Sequence, residues 1–198
     1  MNILHYSLGL YPNRTGGLNR YATDLMQEQS KEHNVSLLYP SGINWLKRRI
    51  YVSSSKTIAG FKCFRLVNST PIPLLYGIRN PYNFYEKKIS LKSFDKFYND
   101  VKPHVIHLHT LMGLSEDVIQ YFKNKGVKIV YTSHDYFGLC PKVNLINEKG
   151  KLCEGPSEDR CTRCNEHAPS VFFLRLRNSS FAFIFRDIKK WIKDIVNF

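Results

Sequence analysis

Apolar residues fall along this chain in short runs separated by polar, turn-forming stretches, and the two periods of regular structure can be told apart. Asn2-Ile3-Leu4-His5-Tyr6-Ser7 closes on Leu8-Gly9 and predicts a buried first strand. The turn formers Tyr11-Pro12-Asn13-Arg14-Thr15-Gly16-Gly17 follow. Leu18, Tyr21, Ala22, Leu25 and Met26 then recur at helical spacing and predict a helix from Leu18 to about His33. Val35 to Tyr39 reads as a second strand, closed by Pro40-Ser41-Gly42. Ile43 to Tyr85 has no clear period, apart from a predicted strand over Phe61 to Val67. Pro71, Pro73 and Pro81 mark irregular backbone there.

The second half is more regular. A predicted helix over Ser90 to Val101 stops at Lys102-Pro103, because the residue before a proline is disfavoured in helical geometry. Val105 to His109 is a strand. Ser115 is placed as the N-cap of a helix reaching Lys125, and Gly126 ends it. Val127 to Ser133 reads as another buried strand, and Ser170 to Phe198 is helical. Strands alternating with helices of this length imply an α/β fold, a Rossmann-like parallel sheet with helices on both faces. In such open sheets ligands bind beyond the carboxyl ends of the strands. Four polar clusters sit at predicted strand ends: Arg14 to Gly17, His109-Thr110, His134-Asp135, and a cysteine-containing loop that begins at Cys140.

Length fits one domain over residues 1–198, since 198 residues with 43% hydrophobic content suffice for a single core. Met1 to Ser7 reads as a strand rather than a secretory leader. The most apolar stretch, Val171 to Ile184, is broken by Arg175, Arg177 and Asn178, which argues against a spanning helix. A cytoplasmic location is the expectation. The formal net charge of +13 favours an anionic partner: nucleic acid, an anionic membrane or phosphorylated substrates. A generally basic proteome would produce the same excess.

Three groups of residues carry candidate chemistry. Gly16-Gly17, between a strand and a helix, lets backbone N–H groups approach a ligand, and the helix N-terminus behind them favours a phosphate or carboxylate. The spacing is neither a dinucleotide fingerprint nor a P-loop, so a plain tight turn stays open. His134-Asp135 follows a strand directly. The imidazole can exchange hydrogen bonds with a sugar hydroxyl or phosphate, and the carboxylate can act as a base or bind hydroxyls. His109 ends the preceding strand, and His107 and His109 share one face of it. That pair could contribute to a metal site, although no carboxylate accompanies it at matching spacing.

Cys140, Cys153, Cys161 and Cys164 form the third group, in a loop at about 138–166, with the last two in a Cys-x-x-Cys pair. Four thiolates complete a tetrahedral zinc shell with no open position, which makes a structural zinc site the expectation; an iron–sulfur cluster uses the same ligands, and free thiols are the alternative. Cys63, in a predicted strand, reads as a core residue. A terminal amphipathic helix at about 170–196 combines Arg175, Arg177, Arg186, Lys189, Lys190 and Lys193 with nine large apolar residues. It suits an anionic membrane surface or packing on the sheet or a further domain.

Taken in order, these residues resemble the N-terminal domain of the family-four glycosyltransferases, which have the two-domain GT-B architecture. Asn2-Ile3-Leu4-His5-Tyr6 with Gly16-Gly17-Leu18-Asn19-Arg20-Tyr21 looks like that family's first strand, diglycine loop and helix. Pro103-His104-Val105-Ile106-His107-Leu108-His109 is similar to its "P-D-V-I-H-x-H" strand, with His104 in place of the aspartate. Val130-Tyr131-Thr132-Ser133-His134-Asp135-Tyr136 resembles the strand carrying its active-site histidine, and Cys140-Pro141 through Cys164 resembles a cysteine-rich subgroup.

The resemblance implies retaining transfer of a sugar from a nucleotide-diphosphate sugar to a glycan or lipid-linked acceptor, with no catalytic metal. His134 inherits the active-site role and Asp135 a supporting catalytic one. Gly16, Gly17, Arg20 and His109 inherit substrate binding. It also implies that the family's C-terminal donor domain is absent from this chain, so that the 198 residues alone are expected to be inactive. Two other classes compete with this reading. One is a zinc-stabilised module binding nucleic acid or protein, with nucleic acid disfavoured by Glu154, Glu158 and Asp159 inside the loop. The other is a peripheral adaptor on the inner membrane surface.

Overall fold

A computed structural model of the chain describes residues 1–81 and 87–177. Six strands form one sheet in the order β3-β4-β2-β1-β5-β6. These are β1 (Asn2–Tyr6), β2 (Asn34–Pro40), β3 (Tyr51–Ser54), β4 (Lys62–Val67), β5 (Val105–Leu108) and β6 (Lys128–Tyr131). Every pairing is parallel except β3 with β4, where Tyr51 faces Val67 and Ser54 faces Phe64. The expected parallel sheet is therefore present, and an antiparallel edge strand is added from the stretch whose sequence has no clear period.

Helices cover both faces: α1 (Gly17–Gln29), α2 (Leu91–Val101) and α3 (Glu116–Asn124). Strand alternation sorts the side chains between them. Leu4, Tyr6, Leu38, Phe64, Leu66, Ile106 and Leu108 meet Phe94, Phe97, Val118 and Phe122 from α2 and α3 in the main core. Leu37 and Cys63 point the other way and pack with Met26 of α1, Leu10 and Phe61, which bears out Cys63 as a core residue. A smaller core of Leu8, Ile72, Ile78, Met112, Phe137, Val143 and Leu174 lies under the loops.

Element ends differ in detail from the sequence pattern. α1 stops at Gln29, where Ser30 closes the last turn by donating its N–H to Met26 O, so the residues to His33 form turns instead. Ser115 occupies the N-cap position of α3, but its hydroxyl makes no capping bond and is buried without a partner. Glu116 and Asp117 in the first turn complement the helix dipole in its place. Gly126 has φ of 73°, the left-handed geometry anticipated for a helix stop.

Beyond β6, α4 (Glu158–Cys164) and α5 (Val171–Arg177) complete the described elements. Asn165 pins this region down: its Oδ1 accepts from Ile78 N at 3.2 Å and its Nδ2 donates to Cys161 O at 2.8 Å. α5 carries the first turns of the anticipated terminal helix, with Leu174 fully buried. The remainder of that helix, residues 178–196, lies outside the described residues. No described helix is long and apolar enough to cross a membrane.

Candidate active site at the β1–β5 switch point

The chain builds the sheet outward from β1 through β2 to β4, then returns to place β5 on the other side of β1. The loops after β1 and β5 thus diverge, opening the crevice in which open α/β sheets bind ligands. Gly16 stands at the N-cap of α1 with φ of 123°, a backbone region that favours glycine. A side chain on Gly17 would meet nothing within 4 Å, so the entrance to α1 is open to an incoming group.

His134 follows β6 and is exposed. Its ring lies 4.9 Å from that of Tyr21 in α1 and 5.8 Å from that of His109. Tyr21 is itself 5.8 Å from His109, so three rings from three strand-end segments meet at one place. Two of the anticipated strand-end clusters, His109-Thr110 and His134-Asp135, are adjacent through these contacts, and Tyr21, one turn into α1, joins them. Asp135 is engaged locally: its Oδ1 accepts from Phe137 N at 2.9 Å and so shapes its own loop. Arg20 pairs with Asp24 at 3.7 Å on the helix surface, and its guanidinium lies 5.1 Å over the Tyr11 ring.

Beneath these exposed groups lies a layer of imidazoles that the sequence revealed only in part. His5 and His107 are register partners in β1 and β5, and His109 follows two residues on, so alternation places all three on the α1 face. His5 Nδ1 is 2.9 Å from His109 Nε2, and His5 Nε2 is 2.8 Å from Gln29 Oε1 on α1. His107 stacks on His109 with centroids 4.2 Å apart, while its Nε2 is 2.7 Å from Thr132 Oγ1. His5 and His109 are fully buried, and burial holds them at about 4 and about 3, far below the ordinary imidazole value of 6.5. Burial also lowers His107, with the neighbouring His134 adding to the effect. All three are accordingly neutral near pH 7. His5 was hidden because it stands inside an apolar run. Its parity with the apolar Leu4 and Tyr6 was the available signal, since it must face the opposite side of the sheet from them.

The cysteines make contacts of their own. Cys140 and Cys161 are buried, while Cys153 donates to Gly155 O at 3.4 Å and Cys164 to Ile146 O at 3.9 Å. Among the described residues, a set of at least three side chains with potential ligand atoms all within 4.8 Å of one another occurs for the histidines and not for the thiols.

An open, mostly parallel sheet with polar residues gathered at its switch point defines the class as one half of a Rossmann-like architecture. The profile of glycosyltransferase family 4 matches residues 15–152, and the chain belongs to that family. It is 28% identical over 162 residues to an uncharacterised 42.6 kDa protein in the cps region of Klebsiella pneumoniae, covering 77% of this chain and 41% of that protein. The chain thus spans about two fifths of the length of that relative. No solved structure matches it significantly.

Proposed function

We propose that this chain forms the acceptor-side wall of a retaining glycosyltransferase that moves a sugar from a nucleotide-diphosphate sugar to a glycan or lipid-linked acceptor. The observation that carries this reading is the position of His134. It is exposed, as is Tyr21, in a ring cluster completed by the buried His109; Tyr21 and His109 come from the segments after β1 and β5. An imidazole held there can hydrogen-bond to the acceptor hydroxyl or the transferring sugar, while the open α1 N-terminus at Gly16 and Gly17 favours the donor's phosphate oxygens. Arg20, on the same helix, adds positive charge at its surface. His109 supports His134 from below, and Asp135 acts by shaping the loop that carries it. The nucleotide sugar is gripped by a donor domain of the kind that GT-B enzymes pair with this one.

The test is transfer of labelled sugar to a lipid-linked acceptor, assayed for the 198-residue chain alone and for a protein that joins it to a donor domain. The joined protein turns over, and its His134→Ala variant loses about 100-fold or more in kcat. The chain alone does not turn over; turnover by it at rates typical of enzymes contradicts the proposed division of labour.

Two further parts belong to the same proposal. Cys140, Cys153, Cys161 and Cys164 close around a structural zinc ion when it is supplied, which draws the loop together beside the crevice. The chain also works at the inner face of a membrane. The supporting observation is a patch in which Trp45 and Phe172 have ring centroids 6.3 Å apart. Leu46 is 96% exposed beside them, and Lys47, Arg48 and Arg49 follow directly, a combination suited to an anionic lipid surface. Co-sedimentation with anionic but not zwitterionic vesicles, reduced by Trp45→Ser with Leu46→Ser, tests it.

A further inference from the structure

We propose that His5, His107 and His109 form a binding site for one divalent late first-row ion, Zn²⁺ or its imidazole-preferring neighbours Co²⁺ and Ni²⁺, separate from the cysteine loop. One ring nitrogen of each lies within 4.8 Å of the others. An ion that takes imidazole nitrogens at about 2.1 Å in tetrahedral geometry sets them roughly 3.4 Å apart, so the cluster closes by at most about 1.4 Å. The 2.9 Å contact between His5 and His109 opens by about 0.5 Å for the same reason.

Two of the three histidines already have the outer contact a metal-ligating histidine needs. Such residues present one nitrogen to the ion and donate the other N–H to an oxygen that fixes the tautomer. His5 Nε2 faces the acceptor Gln29 Oε1, which leaves Nδ1 bare, and His107 Nε2 faces Thr132 Oγ1, which accepts from it in the metal-binding tautomer. With the His5 proton on Nε2 toward Gln29, the 2.9 Å contact makes His109 Nε2 the donor to His5 Nδ1 in the metal-free protein, while His109 Nδ1 is buried with no partner. On metal binding that proton moves from Nε2 to Nδ1, His109 remains neutral, and both Nε2 of His109 and Nδ1 of His5 turn to the ion. No net proton is lost. Three neutral imidazoles with no carboxylate select zinc, cobalt or nickel over magnesium or calcium. The fourth position is left for water, on the side where His134 and Tyr21 lie.

Cobalt titration of the unaltered protein tests the site and separates it from the cysteine loop. Cobalt on imidazoles gives a visible ligand-field band without the intense near-ultraviolet charge transfer that thiolates produce. The expected result is a visible band that survives alkylation of the thiols, is displaced by Zn²⁺ and is indifferent to Mg²⁺. Thr132→Val, which keeps all three ligands, weakens the affinity by about 10-fold or more, and His107→Gln abolishes the band. Should His107→Gln fail to fold, paramagnetic shifts of the His5, His107 and His109 ring resonances in the unaltered protein give the same information. A missing band, one that disappears with thiol alkylation, or ring resonances that cobalt does not move, overturns the proposal. None of these readouts depends on sugar transfer.

Discussion

His5 Nδ1 and His109 Nε2 lie 2.9 Å apart across the β1–β5 boundary, inside the sheet and directly beneath the exposed His134. Neither ring reaches solvent, so the pair must be charged at the cost of burying a cation.

That cost makes stability depend on pH. The folded protein holds His5 at about 4 and His109 at about 3, below the 6.5 of an exposed imidazole. Between these values the unfolded chain binds more protons, so stability is complete above about 6.5 and is lost as pH falls. Each histidine contributes up to about 1.4 kcal/mol per pH unit in that window. In chelator-treated buffer, Tm should fall between pH 7.5 and pH 5, before most carboxylates titrate. His109→Gln should lower Tm at pH 7.5 yet give a shallower slope. An equal slope in the two proteins assigns the acid sensitivity elsewhere.

His134 and Asp135 are neighbours in sequence, but their environments assign them different work. His134 is exposed, so His134→Ala should change stability by no more than about 0.5 kcal/mol while removing transfer in the joined protein. Asp135 accepts from Phe137 N, so Asp135→Ala should lower stability by about 1 kcal/mol, and Asp135→Asn, which keeps an acceptor, should restore most of it. Urea denaturation alongside kcat separates the two roles. An Asp135→Asn protein with normal stability and no turnover would give that carboxylate a direct part in the chemistry.

Asn165 should be a stability hinge for the cysteine region. It is buried, and its side chain satisfies Ile78 N and Cys161 O together. Asn165→Ala leaves the Ile78 N–H unpaired in the interior and should cost about 1–3 kcal/mol. Hydrogen exchange should report faster opening around Ile78 and α4, with the main core around Phe94 and Phe122 unaffected. Uniform acceleration would mean that the loop region and the sheet unfold as one unit.

Gly113 is a second position where one added carbon matters. Its φ is 87°, and a Cβ there would sit 2.5 Å from the Tyr6 hydroxyl, which donates to Met112 O at 2.7 Å. Gly113→Ala should therefore destabilise by about 2–4 kcal/mol, through both backbone strain and displacement of Tyr6. Thermal melts of the purified variant check this.

Zinc added to the reduced protein should slow alkylation of Cys140, Cys153, Cys161 and Cys164, most visibly at the half-buried Cys153 and Cys164, and leave the rate at Cys63, which packs in the sheet core, unchanged. Mass spectrometry after timed alkylation distinguishes the sets. Equal modification with and without zinc would leave these thiols without a metal role.

The order of strands and helices was legible in the amino-acid pattern because burial on one face imposes a period of two or of 3.6, whatever the rest of the chain does. Ile3, Leu4 and Tyr6, or Val118, Tyr121 and Phe122, declare their element locally. So do the glycine stops and the polar clusters at strand ends, including Gly16-Gly17 and His134-Asp135. β3 escaped because a four-residue, half-exposed edge strand carries too little periodic signal, and its pairing with β4 is a long-range choice. The cysteine spacing suggested a closed ligand shell, but spacing along a loop does not set distances between sulfurs. Above all, the meeting of His5 with His107 and His109 was decided by register. β1 and β5 are about a hundred residues apart in the chain, and only parallel pairing of His5 with His107 brings their side chains to the same face and level.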